Sequence, residues 1–212
     1  MPYLDKRLKQ ILSEIDCNVL ADVGCDHGKL SVAAVITGRA KKAYAIDISE
    51  KSLEKTSLLA KEHNLSDRVI PLCGDGLTPL KEDVDLIVIA GMGGNEIIKI
   101  LTESGYRGNA ILVPHQDPYK LRDFISDKFY VEKDYVIKAG RKFYPIIVLR
   151  EGSSKYTENE KFLGKNTPFT TTFYDFLQFR RSHILEMIGN TVLPSDNVLI
   201  RELLEINKLC LR

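Results

Sequence analysis

Apolar and amphipathic segments alternate along the first 128 residues of the chain. Segments in which apolar residues recur every three or four positions predict helices, and they cover residues 4–15, 30–38, 49–63, 95–101 and 118–128. Short runs that are almost entirely apolar predict buried strands, and they cover residues 18–24, 42–48, 69–75, 84–91 and 109–114. Strands that alternate with helices in this way form parallel sheets with helices on both faces. Pro71 cannot donate a ladder hydrogen bond, so the third strand should lie at an edge or contain a bulge.

The pattern changes after residue 129. Two β-rich runs, at 130–138 and 143–150, are separated by a short Ala-Gly-Arg-Lys segment and predict a hairpin that ends the sheet. A polar connector begins at residue 152, and helical periodicity returns at 173–188 and 196–211, which predicts an αα-hairpin. We therefore predict an α/β domain over residues 1–151 and a small helical appendage over residues 152–212.

Composition narrows the class of protein. The chain has 212 residues, of which 44% are hydrophobic and 28% charged, as in a globular protein. Its net charge of +1 argues against a uniformly basic nucleic-acid coat but leaves room for a local basic patch. No apolar stretch approaches the length of a membrane span, and the start lacks an apolar signal core, so we expect a cytoplasmic protein. The four cysteines form no C-x-x-C pair and predict neither zinc nor disulfides.

The first predicted strand ends in a glycine loop, Asp22-Val-Gly24-Cys25-Asp26-His27-Gly28. Glycines at this place usually mark a nucleotide cofactor, but the dinucleotide fingerprint G-x-G-x-x-G is broken by Asp26 and Lys29. A carboxylate at the second glycine position would repel a pyrophosphate, which argues against an NAD-dependent dehydrogenase. A cofactor with cationic groups and no phosphates has no such conflict. S-adenosylmethionine, with its sulfonium and ammonium groups, fits this description.

The ends of the next strands support the same cofactor. Asp47 follows Gly24 by 23 residues and can accept hydrogen bonds from ribose hydroxyls. The turn at 74–76 places a carboxylate between two glycines, where it can approach the adenine amino group. The small residues at 90–94 leave room for a second, flat substrate. These strand ends lie where α/β sheets bind ligands, and the residues assigned to the cofactor are Asp22, Gly24, Cys25, Asp26, His27, Asp47, Ile48, Gly74, Asp75, Gly76, Ala90, Gly91, Met92, Gly93 and Gly94.

Each of these features also has a purely structural explanation. Asp22 could cap backbone amides of the turn that follows it, and residues 74–76 could be a plain turn. Met92 could pack against a helix, and His27 and His115 could be hydrogen-bonding residues rather than bases. Cys25 could be a small neutral filler rather than a reactive thiol. The ordered set of strand ends, and not any single member, predicts the site.

The motifs resemble those of the bacterial tRNA adenine-N1 methyltransferase family that acts on the adenosine at tRNA position 22. The resemblance is carried by Asp22-x-Gly24-x-Asp26-His27, by Gly74-Asp75-Gly76-Leu77 and by Ala90-Gly91-Met92-Gly93-Gly94. It extends over nearly the whole chain through Lys6-Arg7-Leu8, Gly164, Phe169 and the C-terminal helical pair. The family pattern has Gln-Pro-Asn where this chain has Val113-Pro114-His115, and an aromatic residue where this chain has Lys29.

The resemblance implies a class I, Rossmann-like methyltransferase fold with seven strands, the last antiparallel, and a coiled-coil-like C-terminal domain. It implies S-adenosylmethionine as methyl donor, tRNA as acceptor and a place for Arg7 in the cofactor site. Two alternatives stay open: a methyltransferase with another RNA or a small-molecule acceptor, and a non-catalytic RNA-binding or S-adenosylmethionine-sensing protein that keeps the fold.

The chemistry of adenine N1 limits what the protein must supply. This nitrogen has a free lone pair and no proton to lose, so alignment with the methyl group can supply much of the acceleration. The product ring is cationic, and Asp26 either stabilises that charge or holds the cofactor ammonium. Pro114 and His115 follow the fifth strand and could form a wall of the base pocket. The target base must first leave any pairing or stacking.

RNA affinity should come largely from phosphate contacts. Basic and acidic groups are equal in number over residues 151–212. Local clusters of basic residues are therefore better candidates for phosphate contacts than this region as a whole. The alternative is that each cluster is an ordinary solvated charged face. We expect a monomer or weak dimer without a membrane or metal partner, and the residues assigned to RNA are Lys29, Lys138, Arg141, Lys142, Arg180 and Arg181.

Overall fold

The computed structural model describes residues 1–165 and 169–210. Seven strands form a single sheet, and they are β1 (Cys17–Val23), β2 (Ala40–Asp47), β3 (Val69–Cys73), β4 (Leu86–Ala90), β5 (Asn109–Val113), β6 (Tyr130–Ala139) and β7 (Lys142–Arg150). The strand order is β3-β2-β1-β4-β5-β7-β6. Strands β1 to β5 are parallel, and β7 pairs antiparallel with both β5 and β6. The predicted mostly parallel, seven-stranded sheet is confirmed.

Eight helices accompany the sheet in the described ranges. They are α1 (Lys6–Glu14), α2 (Lys29–Ile36), α3 (Glu50–Glu62), α4 (Gly94–Ser104), α5 (Pro118–Ile125), α6 (Glu158–Leu163), α7 (Thr171–Ile188) and α8 (Val198–Cys210). Helices α1 to α3 pack on one face of the sheet, and α4 and α5 pack on the other. None of them is both long and apolar enough to cross a membrane.

The central strands are apolar along their length because both of their faces are covered. In β4, Leu86 and Val88 point into the core beside α1 to α3, whereas Ile87 and Ile89 point into the core beside α4 and α5. All four side chains are fully buried. Pro71 lies in β3, which is an edge strand as predicted. The predicted cap of α3 is also confirmed, since the Ser49 hydroxyl accepts a hydrogen bond from the Ser52 amide.

The hairpin that ends the sheet is confirmed, with a shorter turn than the sequence indicated. Its strands extend to Ala139 and Lys142, so that only Gly140 and Arg141 remain between them. Gly140 has a φ of +61°, a conformation that glycine adopts without strain. Lys142 therefore belongs to a strand, and Arg141 lies at the tip.

The polar segment after residue 152 is packed against the sheet rather than being a free connector. Ser154 exchanges backbone hydrogen bonds with Asp127 and Phe129. Tyr156 is buried, and Thr157 begins α6 with a capping box in which the Glu160 carboxylate accepts from the Thr157 amide at 2.7 Å. The T-x-x-E signature of this cap was present in the sequence, but helix α6 was missed because it is only six residues long.

A buried ion pair joins this segment to the sheet. Arg122 of α5 and Asp134 of β6 are 1% and 0% exposed, and two hydrogen bonds of 2.8 and 2.9 Å connect them. The Arg122 Nη1 also donates to the carbonyl of Phe162 at the end of α6, at 3.0 Å. Asp134 in turn accepts from the Tyr156 hydroxyl at 2.8 Å and from the Lys165 amide at 3.1 Å. Helix α6 is thereby fixed to the sheet domain.

Helices α7 and α8 form the expected helical pair and have a small core of their own. Phe173, Leu177 and Ile184 of α7 are buried together with Ile206 of α8. Helix α7 also packs on the hairpin, where Phe176 lies against Phe143 of β7. The division of the chain after residue 151 stays a prediction, since these contacts cross it.

We predict that Asp134→Asn destabilises the protein by about 3–5 kcal/mol, because it leaves the buried Arg122 guanidinium without its counter-charge. Urea unfolding followed by circular dichroism measures this change. Asp175→Asn is the matched control, since the Asp175–Lys138 pair is exposed and should contribute no more than about 1 kcal/mol. Equal effects of the two substitutions would contradict the role given to the buried pair.

Candidate active site

The glycine loop after β1 turns sharply and is held by the neighbouring strand. Gly24 and Asp26 adopt left-handed φ values of 72° and 53°. The amides of Gly24 and Cys25 both donate to the carbonyl of Ile46 in β2, at 2.8 and 3.0 Å. Aspartate tolerates the left-handed conformation better than most residues because its short polar side chain can bond locally. The loop therefore keeps a defined shape next to the end of β2.

The Asp47 carboxylate connects two loops. Its Oδ2 accepts a hydrogen bond from the Asp26 amide at 2.9 Å, and its Oδ1 accepts one from the Ser49 amide at 2.9 Å. Asp47 thus positions both the glycine loop and the start of α3. This structural function was not anticipated from the sequence, which indicated only an acceptor for a ligand.

A cavity of about 330 Å³ lies at the carboxyl ends of β1, β2, β3 and β4. This volume is at the small end of the range for ligand pockets. The structure brings seven of the predicted cofactor residues into its lining, namely Gly24, Asp47, Ile48, Gly74, Asp75, Gly76 and Met92. The lining also contains residues that sequence reasoning missed, namely Val23, Ile46, Glu96, Lys99 and Ile100.

The missed residues Glu96 and Lys99 belong to the same face of α4. The Glu96 carboxylate accepts from the Gly93 amide at 2.8 Å and so caps this helix. Lys99 Nζ lies 3.3 Å from the Asp75 carboxylate, and this contact raises the lysine pKa. Their spacing of three residues, directly after the glycines at 91, 93 and 94, is the sequence signal that places them beside the cavity.

Asp22 lies beneath the glycine loop and is almost completely buried. The Ser31 hydroxyl donates to its Oδ2 at 2.6 Å, and the Ser31 amide is a second partner. Ser31 is in the first turn of α2, and the N-cap residue of this helix is Gly28. Because glycine has no side chain that could accept hydrogen bonds from this turn, Asp22 accepts them instead. This geometry matches the capping alternative for Asp22. Burial is the main reason that its pKa rises to about 6.

The side chain of Met92 reaches over the glycine loop. A Cβ at Gly24 would lie 2.4 Å from the Met92 Cε, so any other residue there would displace this terminal methyl group, and the φ of +72° at residue 24 favours glycine independently. The Cys25 thiol is buried near the Thr56 hydroxyl, and burial raises its pKa. A thiol in this state is a poor nucleophile, in agreement with a filler role.

The glycines after β4 do not all leave space for a substrate. Gly94 is buried, and a Cβ there would lie 2.5 Å from the Asp117 carbonyl oxygen. Its amide donates to the Gln116 carbonyl at 2.9 Å, so Gly94 serves the packing of α4 against the loop after β5. The prediction of open room at this position is wrong. At Gly93 the nearest atom to an added Cβ would be Glu96 Oε2 at 3.5 Å, so that position is less crowded.

Arg7 and His115 lie outside the smaller cavity, next to the loop that follows β4. Arg7 of α1 has its Nη1 3.6 Å from the Cβ position of Gly91, and its guanidinium lies over the Tyr144 ring at 5.4 Å. The His115 amide donates to the Met92 carbonyl at 3.0 Å and ties the loops after β4 and β5 together. Pro114 and His115 line a second cavity, of about 620 Å³, which extends to α7 and α8.

Asp26 and His27 form a small polar cluster at the mouth of the site. The Asp26 side chain is 77% exposed, and its Oδ1 lies 3.4 Å from His27 Nε2. The same His27 nitrogen lies 2.8 Å from Lys55 Nζ. Across residues 1–165 and 169–210, no group of three His, Cys, Asp or Glu side chains is arranged to hold a metal ion.

The cations assigned to RNA fall into two sets. Lys138 pairs with Asp175 at 3.3 Å, and Arg181 donates to the Asn207 side chain at 3.1 Å. Lys29, Arg141 and Lys142 form no ion pair with any of the described residues, and all three are exposed. The unpaired set is thus located at the hairpin tip and beside the glycine loop.

Arg180 is placed differently from the sequence expectation that it faces phosphate. It makes two hydrogen bonds, of 2.8 and 2.6 Å, to the carboxylate of Glu202 on α8. The physical reason is that α8 packs along α7 and brings this largely buried acid opposite the arginine.

A family model described as a methyltransferase domain matches residues 4–147 of the chain. The chain belongs to this methyltransferase family. All of the residues predicted to bind the cofactor lie inside the matched range, whereas α6, α7 and α8 lie outside it.

Individual relatives extend this assignment. The chain is 31% identical over 157 residues to the tRNA (adenine(22)-N(1))-methyltransferase of Bacillus subtilis, an alignment that covers 70% of this chain and 66% of that enzyme. It is 33% identical over 100 residues to a candidate cobalt-precorrin-6B C(15)-methyltransferase of Methanothermobacter thermautotrophicus, covering 45% of this chain and 51% of that one. The alignments therefore span less than two thirds of these curated methyltransferases.

Solved methyltransferase structures match over nearly the whole chain. The crystal structure of a candidate tRNA (m1A22) methyltransferase of Streptococcus pneumoniae, in complex with S-adenosyl-L-methionine, superposes with a TM-score of 0.86 at 26% identity. The superposition covers 98% of this chain and 99% of that one. The Bacillus subtilis M1A22 tRNA methyltransferase superposes with a TM-score of 0.78 at 24% identity, over 98% of this chain and 95% of that one.

The raised pKa of Asp22 predicts a pH dependence of stability in this methyltransferase. Between the ordinary aspartate value of 3.8 and the folded value of about 6, the unfolded chain loses the Asp22 proton while the folded protein keeps it. Raising the pH through this window therefore destabilises the folded state. Asp22→Asn keeps an acceptor for Ser31 but has no proton to lose. Its free energy of unfolding relative to the wild type should rise by roughly 3 kcal/mol across the window.

Urea unfolding of both proteins at several pH values from about 4 to 7 measures this difference. A difference that stays constant with pH would show that Asp22 is ionised in the folded protein throughout, and would contradict the effect of burial.

Proposed function

We propose that this protein transfers a methyl group from S-adenosylmethionine to N1 of adenosine 22 in tRNA. The observation that carries the proposal is the superposition on the Streptococcus pneumoniae structure, because it includes the C-terminal helices as well as the methyltransferase domain. The identity of 31% to the Bacillus subtilis enzyme supports the same acceptor.

The chemistry of the smaller cavity fits S-adenosylmethionine. Asp47 would accept hydrogen bonds from the ribose hydroxyls, and Asp75 would accept one from the adenine amino group. The glycine loop with Asp26 would hold the methionine part, and Arg7 lies close enough to the edge of the site to bind a carboxylate. The lining contains three acids, Asp47, Asp75 and Glu96, against the single cation Lys99, and this negative balance suits a cationic molecule and opposes the pyrophosphate of a dinucleotide. When bound, S-adenosylmethionine supplies an electrophilic methyl group.

The residues of the chain need to orient the acceptor rather than remove a proton from it. Adenine N1 attacks with a lone pair in the plane of the ring, so the base has to lie edge-on to the cofactor cavity. Pro114 and His115 follow strand β5 and lie next to Gly91 and Met92, and they would form the wall that sets this orientation. Asp26 either stabilises the positive charge that develops on the ring or holds the cofactor ammonium.

The C-terminal helices and the hairpin tip support tRNA over a small-molecule acceptor. The match to the candidate cobalt-precorrin methyltransferase of Methanothermobacter thermautotrophicus covers only 45% of this chain, and the matched family domain ends at residue 147. A second domain that is fixed to the sheet is expected for an acceptor much larger than the active site. Exposed Arg141 and Lys142, together with Lys29, are the cations best placed to contact phosphates.

The proposal predicts methyl transfer from labelled S-adenosylmethionine to an unmodified tRNA transcript that has adenosine at position 22. Nucleoside analysis should find 1-methyladenosine as the product. A transcript with guanosine 22 is the matched control and should accept no methyl group. Methylation of both transcripts would assign another target nucleotide, and methylation of neither would contradict a tRNA acceptor of this kind.

Asp47→Ala should weaken S-adenosylmethionine binding by about 1–3 kcal/mol, the value of hydrogen bonds to a charged group. Isothermal titration calorimetry measures this loss. Because Asp47 also holds the Asp26 and Ser49 amides, the thermal unfolding of the variant is compared with that of the wild type. Glu54→Ala, an exposed acid on α3 outside the cavity, should bind the cofactor normally. Unchanged affinity of Asp47→Ala, or tight binding of NAD by the wild type, would contradict the assignment.

A further inference from the structure

The cavity of about 620 Å³ is a groove between the methyltransferase domain and the C-terminal helices. One side consists of residues 114–120 in the loop after β5 and the start of α5, together with Phe143 and Pro145 of β7. The other side is formed mainly by α7 and α8. The groove begins at His115, whose amide donates a hydrogen bond to the Met92 carbonyl. Met92 in turn lines the smaller cavity, which we propose binds the cofactor. The groove therefore starts where an acceptor for the methyl group would have to lie.

Aromatic rings form a continuous surface along the groove. The Phe143 ring lies 5.4 Å from that of Phe179 and 5.7 Å from that of Phe176. The rings of Phe179 and His183, one helical turn apart, are nearly parallel, with an interplanar angle of 7°. Phe179 is 48% exposed although it is a large apolar residue. Its exposure leaves aromatic surface available to a flat ligand.

The charged groups of the groove are neutralised within the protein. Arg180 pairs with Glu202, Arg122 pairs with Asp134, and Lys120 lies 3.8 Å from Asp117. Met187 and Val198 add exposed apolar surface. A groove of this composition has little to attract phosphate, but it suits an uncharged, flat ring system.

We propose that this groove binds an unpaired base of the tRNA that neighbours the methylated adenosine, stacked on Phe179 and His183. The inference rests on the proposed function, which places an RNA strand at His115. Methylation of N1 requires the target adenosine to leave its pairing and stacking, and this opens the strand around it. Aromatic side chains are the usual stacking partners of unstacked bases in RNA-binding proteins. The groove holds the base, and the exposed cations elsewhere contact phosphates.

The chain contains no tryptophan, so a single introduced tryptophan reports on one position. In Phe179→Trp, tRNA should quench the tryptophan emission because a base stacks on the indole. Tyr174→Trp is the matched control, since Tyr174 is on the same helix, is 46% exposed and does not line the groove. Its emission should change little. Both variants should bind S-adenosylmethionine with the affinity of the wild type.

Phe179→Leu tests the energetic contribution, since leucine keeps the apolar character but removes the flat ring. We expect roughly a 5- to 140-fold loss of tRNA affinity, the range found when an aromatic stacking partner is removed. The dependence of affinity on salt concentration should stay that of the wild type, because no phosphate contact is lost. Phe179→Tyr keeps a flat ring and should therefore bind tRNA with the affinity of the wild type. A double variant Arg141→Ala/Lys142→Ala should instead reduce the salt dependence.

The outcomes separate this inference from the proposed function. If the wild type methylates tRNA but the emission of Phe179→Trp is not quenched and Phe179→Leu binds normally, the groove does not hold a base and the inference is overturned. Equal quenching of Phe179→Trp and Tyr174→Trp also overturns it. Emission of Phe179→Trp that depends on protein concentration without RNA would show that a second copy of the chain covers the groove, which overturns the inference as well. If the wild type methylates no tRNA, the proposed function itself fails.

Discussion

The buried ion pair between Arg122 and Asp134 fixes the position of the C-terminal helices relative to the methyltransferase domain. A charge removed from water needs a full set of partners, and this pair finds them in a helix that follows the His115 loop, in a hairpin strand and in the carbonyl of Phe162. The same contacts therefore fix α6 against the methyltransferase domain. Since α7 and α8 share a core with Phe162 and Leu163 of α6, the position of the groove relative to the candidate active site follows from them.

In the cavity proposed to bind the cofactor, the carboxylate that would bind the ribose also holds two loops in place. Asp47 accepts the amides of Asp26 and Ser49 with its two oxygens, but an ionised carboxylate offers about four lone-pair sites. Sites thus remain for ribose hydroxyls after both loops are held. The loops are fixed before a ligand binds, which reduces the ordering cost of binding. Asp22, by contrast, satisfies the first turn of α2 from beneath the loop, so the two acids that flank the loop have different functions.

Local signals explain why the sheet, and a cavity at the carboxyl ends of its strands, could be predicted from the sequence. The apolar runs mark β1 to β5 because both faces of the sheet are covered, and Pro71 marks the edge because it lacks an amide hydrogen. The partners of buried or paired charges are set by tertiary packing, which local patterns do not report. Asp134 is 12 residues from Arg122, and Glu202 is 22 residues from Arg180. Gly94 illustrates the same limit, since its role depends on a carbonyl of Asp117 in another loop.

The chain has a net charge of +1, and several of its cations form ion pairs with acids of the same chain. Arg180, Arg122 and Lys138 are occupied by acids of the same chain, whereas Lys29, Arg141 and Lys142 are exposed and form no ion pair with the described residues. The exposed, unpaired cations attract the phosphate backbone of any RNA and carry no sequence information. Discrimination between tRNA molecules then has to come from shape and from bases that leave the stack. A neutral, aromatic groove beside the methyl-transfer site meets that requirement without adding to the attraction for RNA in general.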